Sequence, residues 1–542
     1  MQPLYSTKTQ SWLSWFLRGI LILGTLILLS RTFELQVIKG SYYRNLSEEN
    51  RIRRIPIFAP RGKIIARGGE ILVDNVGIKK AIRFSAKNGY EKSDDLTGVA
   101  TEELITEYIR QYPLGEKMGH VSGYLGEVSP DEVGKIDPEC PEKGVKLHGT
   151  LVGVSGLEYK YNCLLSGVDG EELIEVDTSG KKIRTLGRKE PVSGTDIHTY
   201  IDYPLQVAVS QELNQKGAVV VTDLMGEVLA LYSYPSYDPN LLTRKSDSEK
   251  ISNLLKNPDL PFFNRAIGGL FHPGSVFKPL VALAALSEGE IDKNFSFNDE
   301  GQLVVKTLYG DFSYSNWYFT QYGRTEGEIG LAKALARSTD TFFYTIGALV
   351  GPEKIAKWAS DFGLDNKTGI DLPGEIVGLI PTPKWKEEVK KENWFLGNTY
   401  HLSIGQGDLS VTPLEINTMI AGIASYGKLC NPRIAEVSDT KCKQINLKRD
   451  DVNLVVEGMK EACAEGGTGY TFFDFKPEVA CKTGTAEVGE GDDTHAWFTV
   501  FAPIEHPEIV VTVLVEKGGE GSKVAGPIAR KVMDRWNLQN NP

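Results

Sequence analysis

Residues 217–235 read GAVVVTDLMGEVLALYSYP, which is a β-branched run, a Met-Gly turn and a second apolar run. Two apolar runs joined by a short, glycine-containing turn are typical of a β-hairpin. Further strands are predicted at residues 495–503 (HAWFTVFAP) and 508–518 (EIVVTVLVEKG). Helices are predicted between the hairpin and these strands, at Ser275–Leu286, Leu331–Phe343 and Thr412–Ala424. Strands at both ends with helices between them predict an α+β domain built on one antiparallel sheet.

The region upstream of this domain is mixed in character and shows no catalytic spacing. Short β-like runs occur in residues 63–75, and an amphipathic helix is predicted near Glu102–Gln111. The glycine-rich residues 153–158 lack the strand and helix that flank a phosphate-binding loop, so they predict a structural turn. Residues 188–206 are punctuated by Pro, Gly, Ser and Thr, which predicts a domain boundary.

The start of the chain has the pattern of a membrane anchor. Residues 12–30, WLSWFLRGILILGTLILLS, contain a single charge, Arg18. A helix of this length spans about 28 Å, close to the roughly 30 Å of a bilayer core. No small-x-small cleavage site follows the apolar run, which argues against a cleaved signal peptide. Lys8 and Arg18 have no acidic residue before them, whereas basic and acidic residues are mixed after the run. This bias places the N-terminus in the cytoplasm, so we expect a single-pass inner-membrane protein with its catalytic domain on the extracytoplasmic side.

The composition limits the classes of function. Among 542 residues, 60 Lys and Arg stand against 71 Asp and Glu, and the net charge of −11 argues against nucleic acid as a partner. The six cysteines form no C-x-x-C pair and are interpreted as small buried thiols, although Cys430 and Cys442 would close a loop in an oxidising compartment. The seven histidines show no metal-ligand spacing, so we expect no metal and no cofactor.

The first catalytic motif is Ser275-Val276-Phe277-Lys278, which Pro-Gly precedes and an apolar helix follows. Free N–H groups at a helix start stabilise negative charge that develops on a serine nucleophile. A lysine three residues on lies on the same face, and burial favours its neutral form, so Lys278 is the candidate base. Other S-x-x-K matches begin turn-like sequence instead of a helix, at residues 179–182, 425–428 and 438–441.

Two further motifs follow in order along the chain. Ser338-Thr339-Asp340 has the S-x-D form, although a polar kink between two helices is an alternative interpretation. Lys482-Thr483-Gly484-Thr485 follows a short strand-like run, whereas an earlier Lys-Thr-Gly at residues 367–369 follows turn-like sequence. A strand edge with Gly and two hydroxyl residues offers hydrogen bonds and a cation to an extended peptide, so we favour the later copy.

Three motifs in this order resemble the penicillin-binding proteins and serine β-lactamases. The likeness extends over nearly the whole chain and is strongest to the elongation-type class B enzymes, the penicillin-binding protein 2 group. The segments that carry it, apart from the three motifs, are Pro60–Ile64, Asn264–Ala266, Ile370–Glu375, Ile380–Pro383, Ser403–Gly407 and His495–Phe498. The resemblance implies three parts: a cytoplasmic tail and transmembrane anchor in residues 1–34, an extended α/β pedestal (dimerisation-type) domain in 35–195, and a β-lactamase-like transpeptidase domain in 196–542.

The resemblance implies a monofunctional peptidoglycan D,D-transpeptidase that cross-links stem peptides during cell elongation and is inhibited covalently by β-lactams. Its catalytic residues would be Ser275, Lys278, Ser338, Asp340 and Lys482. Its substrate-binding residues would be Thr483, Gly484 and Thr485. Its partners would be stem peptides, β-lactam antibiotics and the membrane glycosyltransferase of the elongation complex.

Some residues depart from the family pattern. Ile65-Ala66-Arg67-Gly68-Gly69 stands where relatives usually continue Asp-Arg-Asn-Gly, Arg324-Thr325-Glu326 stands where many have Gly-His, and Cys481 stands where Gly usually precedes Lys-Thr-Gly. Rival interpretations are a β-lactamase, which would not need the anchor or pedestal, and a non-catalytic protein that activates a glycosyltransferase. A bifunctional enzyme would need a further domain for which the chain has neither motif nor room.

Overall fold

Helices and strands are interspersed along the chain in the computed structural model, which describes residues 8–85, 89–97, 99, 104–146, 149–177, 182–244, 247–307, 310–489 and 493–540. The α-helices are α1 (Lys8–Phe33), α2 (Gly40–Arg51), α3 (Gly119–Ser122), α4 (Gly156–Lys160), α5 (Asn162–Leu165), α6 (Tyr203–Glu212), α7 (Pro239–Arg244), α8 (Ser248–Lys256), α9 (Arg265–Gly268), α10 (Lys278–Ser287), α11 (Trp317–Tyr322), α12 (Leu331–Arg337), α13 (Asp340–Val350), α14 (Pro352–Asp361), α15 (Pro383–Trp385), α16 (Leu396–Ser403), α17 (Pro413–Ala424), α18 (Arg449–Ala462) and α19 (Ala525–Asn540). The strands are β1 (Ile52–Ile57), β2 (Ile64–Ile65), β3 (Ile71–Ser85), β4 (Gly89–Ser93), β5 (Leu104–Gln111), β6 (Leu125–Glu127), β7 (Leu151–Gly153), β8 (Gly170–Val176), β9 (Lys182–Lys189), β10 (Ile197–His198), β11 (Gly217–Thr222), β12 (Val228–Tyr234), β13 (Ser296–Asp299), β14 (Gln302–Thr307), β15 (Gly310–Ser315), β16 (Gly327–Gly330), β17 (Lys428–Cys430), β18 (Cys442–Gln444), β19 (Ala480–Glu487), β20 (Thr494–Ala502) and β21 (Ile509–Val515).

A five-stranded sheet organises the C-terminal half of the chain, with the strand order β12-β11-β21-β20-β19. Every neighbouring pair in this sheet is antiparallel. The predicted hairpin is confirmed as β11 and β12, and the two later predicted strands are confirmed as β20 and β21. Every residue of β11 and β21 is buried, as expected for β-branched runs in the centre of a sheet that is covered on both faces.

Helices cover both faces of this sheet. On one face, Trp497 and Leu514 belong to a buried cluster that includes residues of α10, α12, α13, α17 and α18. On the other face, Phe498 and Val513 pack in a second cluster with residues of α6 and α19. Neighbouring residues of a strand point to opposite faces, so adjacent positions of β20 and β21 serve different clusters. The architecture confirms the predicted α+β class, an antiparallel sheet flanked by helices.

A buried asparagine joins α17 to the sheet. The side-chain amide of Asn417 donates to the carbonyl oxygens of Val220 and Val510, at 3.3 and 3.2 Å, and to Thr512 Oγ1 at 3.3 Å. Its Oδ1 accepts a hydrogen bond of 2.7 Å from Thr222 Oγ1. Buried polar groups are stable only when they are paired, so this set fixes the position of α17 over β11 and β21.

The chain separates into two compact units whose segments interleave. One consists of Met1–Ala59, Gly77–Tyr108 and Val168–Ser193, and the other of Pro60–Val76, Ile109–Gly167 and Gly194–Pro542. The first unit contains the anchor helix and the antiparallel sheet β1-β8-β9. The second contains the five-stranded sheet. The boundary between residues 195 and 196 stays a prediction, because neither unit is a continuous segment.

One described helix is long and apolar enough to cross a membrane. It spans Trp12–Ile38, has a mean hydropathy of 1.9, and buries none of its apolar window in the protein. Burying about 20 apolar residues in lipid is strongly favourable, whereas leaving them in water is not. The structure therefore agrees with the predicted anchor in its length and its exposure.

The helix predicted near Glu102–Gln111 is wrong for the residues that are described. Leu104–Gln111 form strand β5, which pairs with β3. Isoleucine, threonine and tyrosine favour strands, and the sequence LITEYIRQ satisfies a two-residue as well as a helical period. The pairing of this segment with β3 favours the strand over the helix, and the sequence of the segment alone does not reveal that pairing. Residues 102 and 103 lie outside the described residues.

The helix predicted over Leu331–Phe343 is interrupted. It consists of α12, which ends at Arg337, and α13, which begins at Asp340. Ser338, between them, has a left-handed backbone with φ of 57° and ψ of 38°, a conformation that ends a helix. The helices predicted at Ser275–Leu286 and Thr412–Ala424 are confirmed as α10, with a preceding 3₁₀ turn, and as α17, with Thr412 as its N-cap.

The interpretation of the six cysteines as buried thiols is wrong. They form three disulfides, which are Cys140–Cys163, Cys430–Cys442 and Cys463–Cys481. The partners are 23, 12 and 18 residues apart, so no short motif identifies them. The fold brings each pair together. The loop that was considered from the sequence is closed by the Cys430–Cys442 disulfide.

Replacing Asn417 by Ala will destabilise the protein by about 2–4 kcal/mol, because Thr222 and the sheet carbonyl groups lose buried hydrogen bonds. Thermal or denaturant unfolding of the detergent-solubilised protein measures the loss. Asn453→Ala is the matched control, since Asn453 lies on the exposed face of α18, and its effect should stay within about 0.5 kcal/mol. Equal stability of the two variants would contradict the role given to Asn417.

Candidate active site

The three sequence motifs converge on one hydroxyl group. Lys278 Nζ lies 3.2 Å from Ser338 Oγ and donates to the backbone oxygen of Ser338 at 2.8 Å. Lys482 Nζ lies 2.8 Å from the same Ser338 Oγ. These contacts join residues that are 60 and 144 positions apart in the sequence. The fold therefore brings Lys278, Ser338 and Lys482, one residue from each motif, into direct contact.

Ser275 lies in a 3₁₀ turn, Gly274–Phe277, that leads directly into α10. In such a turn residues three apart lie on the same side, so the turn directs Ser275 and Lys278 towards the same region. Ser275 is partly exposed, whereas Lys278 is completely buried. Within the described part of the chain, the hydroxyl of Ser275 makes no hydrogen bond, and the hydrogen bonds of Lys278 go to Ser338 and Asp340.

Glycines allow the turn that carries Ser275 to approach strand β19. Gly274 has a φ of 56°, and a Cβ atom there would lie 2.9 Å from the backbone oxygen of Thr485. A Cβ atom on Gly484 would lie 3.0 Å from the backbone oxygen of Pro273. Gly274 also donates its N–H to the backbone oxygen of Gly405, at 2.9 Å. The start of the serine helix is thus enclosed by backbone on two sides.

Ser338 adopts a conformation that is unfavourable for a residue with a side chain. Its left-handed backbone costs about 1–2 kcal/mol relative to the right-handed form. The hydrogen bonds from Lys278 and Lys482 act on this residue and stabilise the turn. A kink between two helices, which was the alternative interpretation of these residues, is present. The kink places Ser338 Oγ between the two lysines.

Asp340 begins α13 and holds Lys278 by an ion pair. Its Oδ1 lies 2.6 Å from Lys278 Nζ, and its Oδ2 accepts from the backbone N–H of Trp317 at 3.1 Å. The backbone N–H of Asp340 donates to Asn316 Oδ1, and Asn316 in turn donates to the buried Asp299. Sequence analysis missed Asn316, Trp317 and Asp299, because they lie in a segment without periodic pattern or motif.

The loop with the unusual sequence Arg324-Thr325-Glu326 also contacts this region. The backbone N–H of Glu326 donates to Asp299 Oδ2 at 2.9 Å, and its carboxylate accepts from Arg337 Nε at 2.7 Å. Arg337 directly precedes Ser338. The departure from the family pattern is therefore accommodated by an ion pair at the end of α12.

The two lysines have lowered pKa values. Burial lowers the pKa of Lys278, although the Asp340 carboxylate opposes this effect. Burial lowers the pKa of Lys482 well below its usual value, and the positive charge of Lys278 lowers it further, while Asp340 opposes. Two cations beside one carboxylate in a buried site repel each other, so the site favours a state in which one amine is neutral.

Strand β19, which carries Lys482, Thr483, Gly484 and Thr485, lies at the edge of the sheet, with β20 as its only neighbour in the described strand order. Thr483 is nearly buried and donates to Thr468 Oγ1 at 2.9 Å, whereas Thr485 is exposed and its hydroxyl accepts from the N–H of Gly521 at 3.2 Å. An edge strand presents free backbone groups, to which an extended peptide binds as a further strand.

The competing motif copies lie elsewhere. In the earlier Lys-Thr-Gly, Lys367 and Thr368 lie in a loop, where Thr368 donates its backbone N–H to Glu375 Oε1 at 2.7 Å. Ser425 and Ser438, which begin other S-x-x-K matches, lie at the C-cap of α17 and in a turn. Ser179 falls outside the described residues. The arrangement around Ser338 therefore belongs to the motif copies that were favoured from the sequence.

Two protein-family models match the chain. The penicillin binding protein transpeptidase domain matches residues 217–534, and the penicillin-binding protein dimerisation domain matches residues 79–199. The first covers more than half of the sequence and contains all three motifs. The chain belongs to the penicillin-binding protein family with a transpeptidase domain.

Individual relatives indicate which penicillin-binding proteins this chain resembles. The protein named peptidoglycan D,D-transpeptidase MrdA of Acinetobacter baumannii is 32% identical, over 97% of this chain and 88% of its own length. A chain in the complex between penicillin-binding protein 2 and MreC from Helicobacter pylori matches with a TM-score of 0.77 and 26% identity, over 90% of this chain and 99% of its own. A second structural match has a TM-score of 0.76 and 26% identity, over 98% of each chain. It comes from a structure that concerns the structural coordination of polymerization and crosslinking by a peptidoglycan synthase complex. The predicted resemblance to penicillin-binding protein 2 is confirmed.

Replacing Gly274 by Ala will disturb the site for two reasons. The added Cβ atom would clash with the backbone of Thr485, and alanine would have to adopt the positive φ of this position. We expect a loss of about 1–3 kcal/mol in unfolding free energy and a weaker covalent labelling by a fluorescent penicillin. Gly289→Ala is the matched control, since Gly289 has a φ of 75° and nothing within 4 Å of the added atom. Labelling by the two variants at the same rate would show that the close approach is unimportant.

Proposed function

We propose that this protein is a serine-type D-Ala–D-Ala transpeptidase that cross-links peptidoglycan stem peptides during cell elongation and that β-lactams inhibit covalently. The observation that carries the proposal is the hydrogen bonding of Ser338 Oγ with both Lys278 and Lys482, in a chain where the partly exposed Ser275 precedes Lys278 by three residues at a helix start. Acyl transfer by a serine needs a nearby base and a donor for the leaving group, and this set of residues supplies both.

In the acylation step, Ser275 Oγ attacks the carbonyl carbon between the two D-alanines of a donor stem peptide. Lys278, in its neutral form, takes the hydroxyl proton, and burial favours that form. Lys482 and Ser338 relay a proton to the departing amine, so the peptide bond breaks and D-alanine leaves. The amine of a second stem peptide then attacks the ester, which forms the cross-link and releases Ser275.

The substrate is held by strand β19 and the start of the serine helix. Thr483 and Thr485 bind the terminal carboxylate of the donor, and Gly484 keeps the strand close to the helix. The backbone N–H groups of Ser275 and Thr485 form the oxyanion hole for the tetrahedral intermediate. Asp340 orients Lys278, since it accepts a 2.6 Å hydrogen bond from the lysine.

The membrane placement and the partners follow from the anchor and the relatives. The apolar helix at Trp12–Ile38 would hold the chain in the inner membrane with the catalytic unit on the extracytoplasmic side, where stem peptides are cross-linked. A membrane glycosyltransferase of the elongation complex is the expected partner, because cross-linking needs newly polymerised strands. Peptidoglycan synthase and MreC complexes of similar chains support this assignment.

A fluorescent penicillin should label the detergent-solubilised protein covalently and leave Ser275→Ala unlabelled. Lys278→Arg should also lose labelling, by at least 100-fold in rate, because a guanidinium does not deprotonate at working pH. Gel fluorescence and intact-protein mass measure the adduct. Labelling that persists in Ser275→Ala would remove this residue as the nucleophile, and turnover of the adduct within seconds would favour a β-lactamase.

Asp340→Asn will shift the pH dependence of acylation. The carboxylate raises the pKa of Lys278, so its removal lowers that pKa, and neutral Lys278 then persists to lower pH. Because the reaction needs the neutral amine, the acidic limb of the rate profile should move to lower pH. The second-order rate of penicillin labelling between pH 5 and 9 measures this limb. An unchanged limb would place the titrating base elsewhere.

A further inference from the structure

We propose that the disulfide between Cys463 and Cys481 is a positioning element of the active site, because it fixes the strand that carries Lys482 to the helices that lead to Ser338. It acts through Lys482 and does not touch substrate. The inference rests on the proposed function, since it assigns the disulfide a role in acylation.

Cys481 is placed where a covalent link controls Lys482. It directly precedes Lys482 in β19 and is completely buried. Side chains alternate along a strand, so Cys481 and Thr483 share the face opposite to Lys482 and Gly484. A link on one face of the strand therefore holds the backbone from behind while Lys482 points towards Ser338 Oγ.

The other end of the link belongs to a helix that packs tightly on α12. Cys463 is the C-cap residue of α18. The approach of α18 to α12 is close, since a Cβ atom on Gly458 would lie 2.7 Å from Leu335 Cβ and 2.9 Å from the backbone oxygen of Ala332. Helix α12 ends next to Ser338. Close packing thus connects Ser338, at the end of α12, to Cys463, at the end of α18. The disulfide connects Cys463 to Cys481, which is the residue before Lys482.

The loop after Cys463 also links α12 to β19, through hydrogen bonds. Thr468 donates its backbone N–H to the oxygen of Ala336 at 3.2 Å, two residues before Ser338. Its hydroxyl accepts from Thr483 Oγ1 at 2.9 Å. Gly469 donates to the oxygen of Ala462 at 2.7 Å, and a Cβ atom there would lie 2.6 Å from Cys481 Sγ. The loop packs directly on the disulfide and contacts both the last turn of α12 and the Lys482–Thr485 motif.

The position of β19 needs such support because it is an edge strand. Hydrogen bonds from β20 hold one side of it, and no strand pairs with its other side in the described strand order. Edge elements open locally more easily than central ones. A displacement of about 1 Å at a reacting group lowers a rate by up to about 100-fold. The 2.8 Å contact between Lys482 and Ser338 therefore depends on how firmly β19 is held to α12 and α18.

The experiment compares two pairs of substitutions in the full-length protein in detergent. Cys463→Ser with Cys481→Ser removes the proposed positioning link, and Cys430→Ser with Cys442→Ser is the matched control, since it removes a link of the β17–β18 hairpin. The probe is a fluorescent penicillin, and the active fraction is counted from the labelling endpoint. We expect the acylation rate of the active fraction, at saturating penicillin, to fall about tenfold in the first pair and to change less than twofold in the control.

A merely structural role would lower the unfolding temperature or the active fraction and leave the acylation rate per active site unchanged. That result would overturn the proposal, as would peptide mapping that finds free thiols at Cys463 and Cys481. If the serine pair fails to fold, Cys463→Ala with Cys481→Ala is measured in its place. Failure of both pairs to fold would make the link a folding requirement and would also overturn it. Absence of labelling in the wild-type protein would instead contradict the proposed function.

Discussion

Two buried amines share one hydroxyl in this protein, and one carboxylate stands beside them. Lys278 and Lys482 contact Ser338 Oγ from two sides, and Asp340 pairs with Lys278. A buried cation is unstable without a partner, and two of them near a single carboxylate leave an excess of positive charge. Burial lowers the pKa of Lys278, and burial together with the charge of Lys278 lowers the pKa of Lys482, so both amines lose a proton more readily than an ordinary lysine. Under the proposed function, this is the origin of the base that acylation needs.

Much of the surrounding architecture serves to keep these groups together without water. The lysines come from a helix and from the edge of a sheet, and the serine from a strained turn. Gly274 and Gly484 let helix start and strand approach until backbone touches backbone. Larger residues would separate the elements and admit solvent, which would stabilise both ammonium forms. Close packing is therefore an electrostatic requirement here as well as a source of stability.

Sequence patterns were sufficient where a local rule and the tertiary structure agree. The apolar runs of β11, β20 and β21 identified the sheet, and the motif copies favoured from the sequence contain Lys278, Ser338 and Lys482, which the fold brings together. Local rules failed for β5, where a strand partner overrode a helical pattern.

The residues that support Asp340 were invisible to sequence reasoning for a different reason. Asn316 and Asp299 act through hydrogen bonds to residues distant in the sequence, and no spacing marks them. Two of the three disulfides were missed, and Cys430–Cys442 was only an alternative, because cysteine pairing depends on distances in the folded chain, with separations of 12 to 23 residues that follow no rule. Long-range contacts between isolated residues carry no signature in one sequence.

The free edge of β19 has a consequence for selectivity. A strand that reads its ligand by main-chain pairing registers the direction and extension of a peptide, and it is nearly indifferent to the side chains that point away from it. Under the proposed function, the donor stem peptide is therefore selected by its extended end, and variation in the side chains that face away from β19 is tolerated.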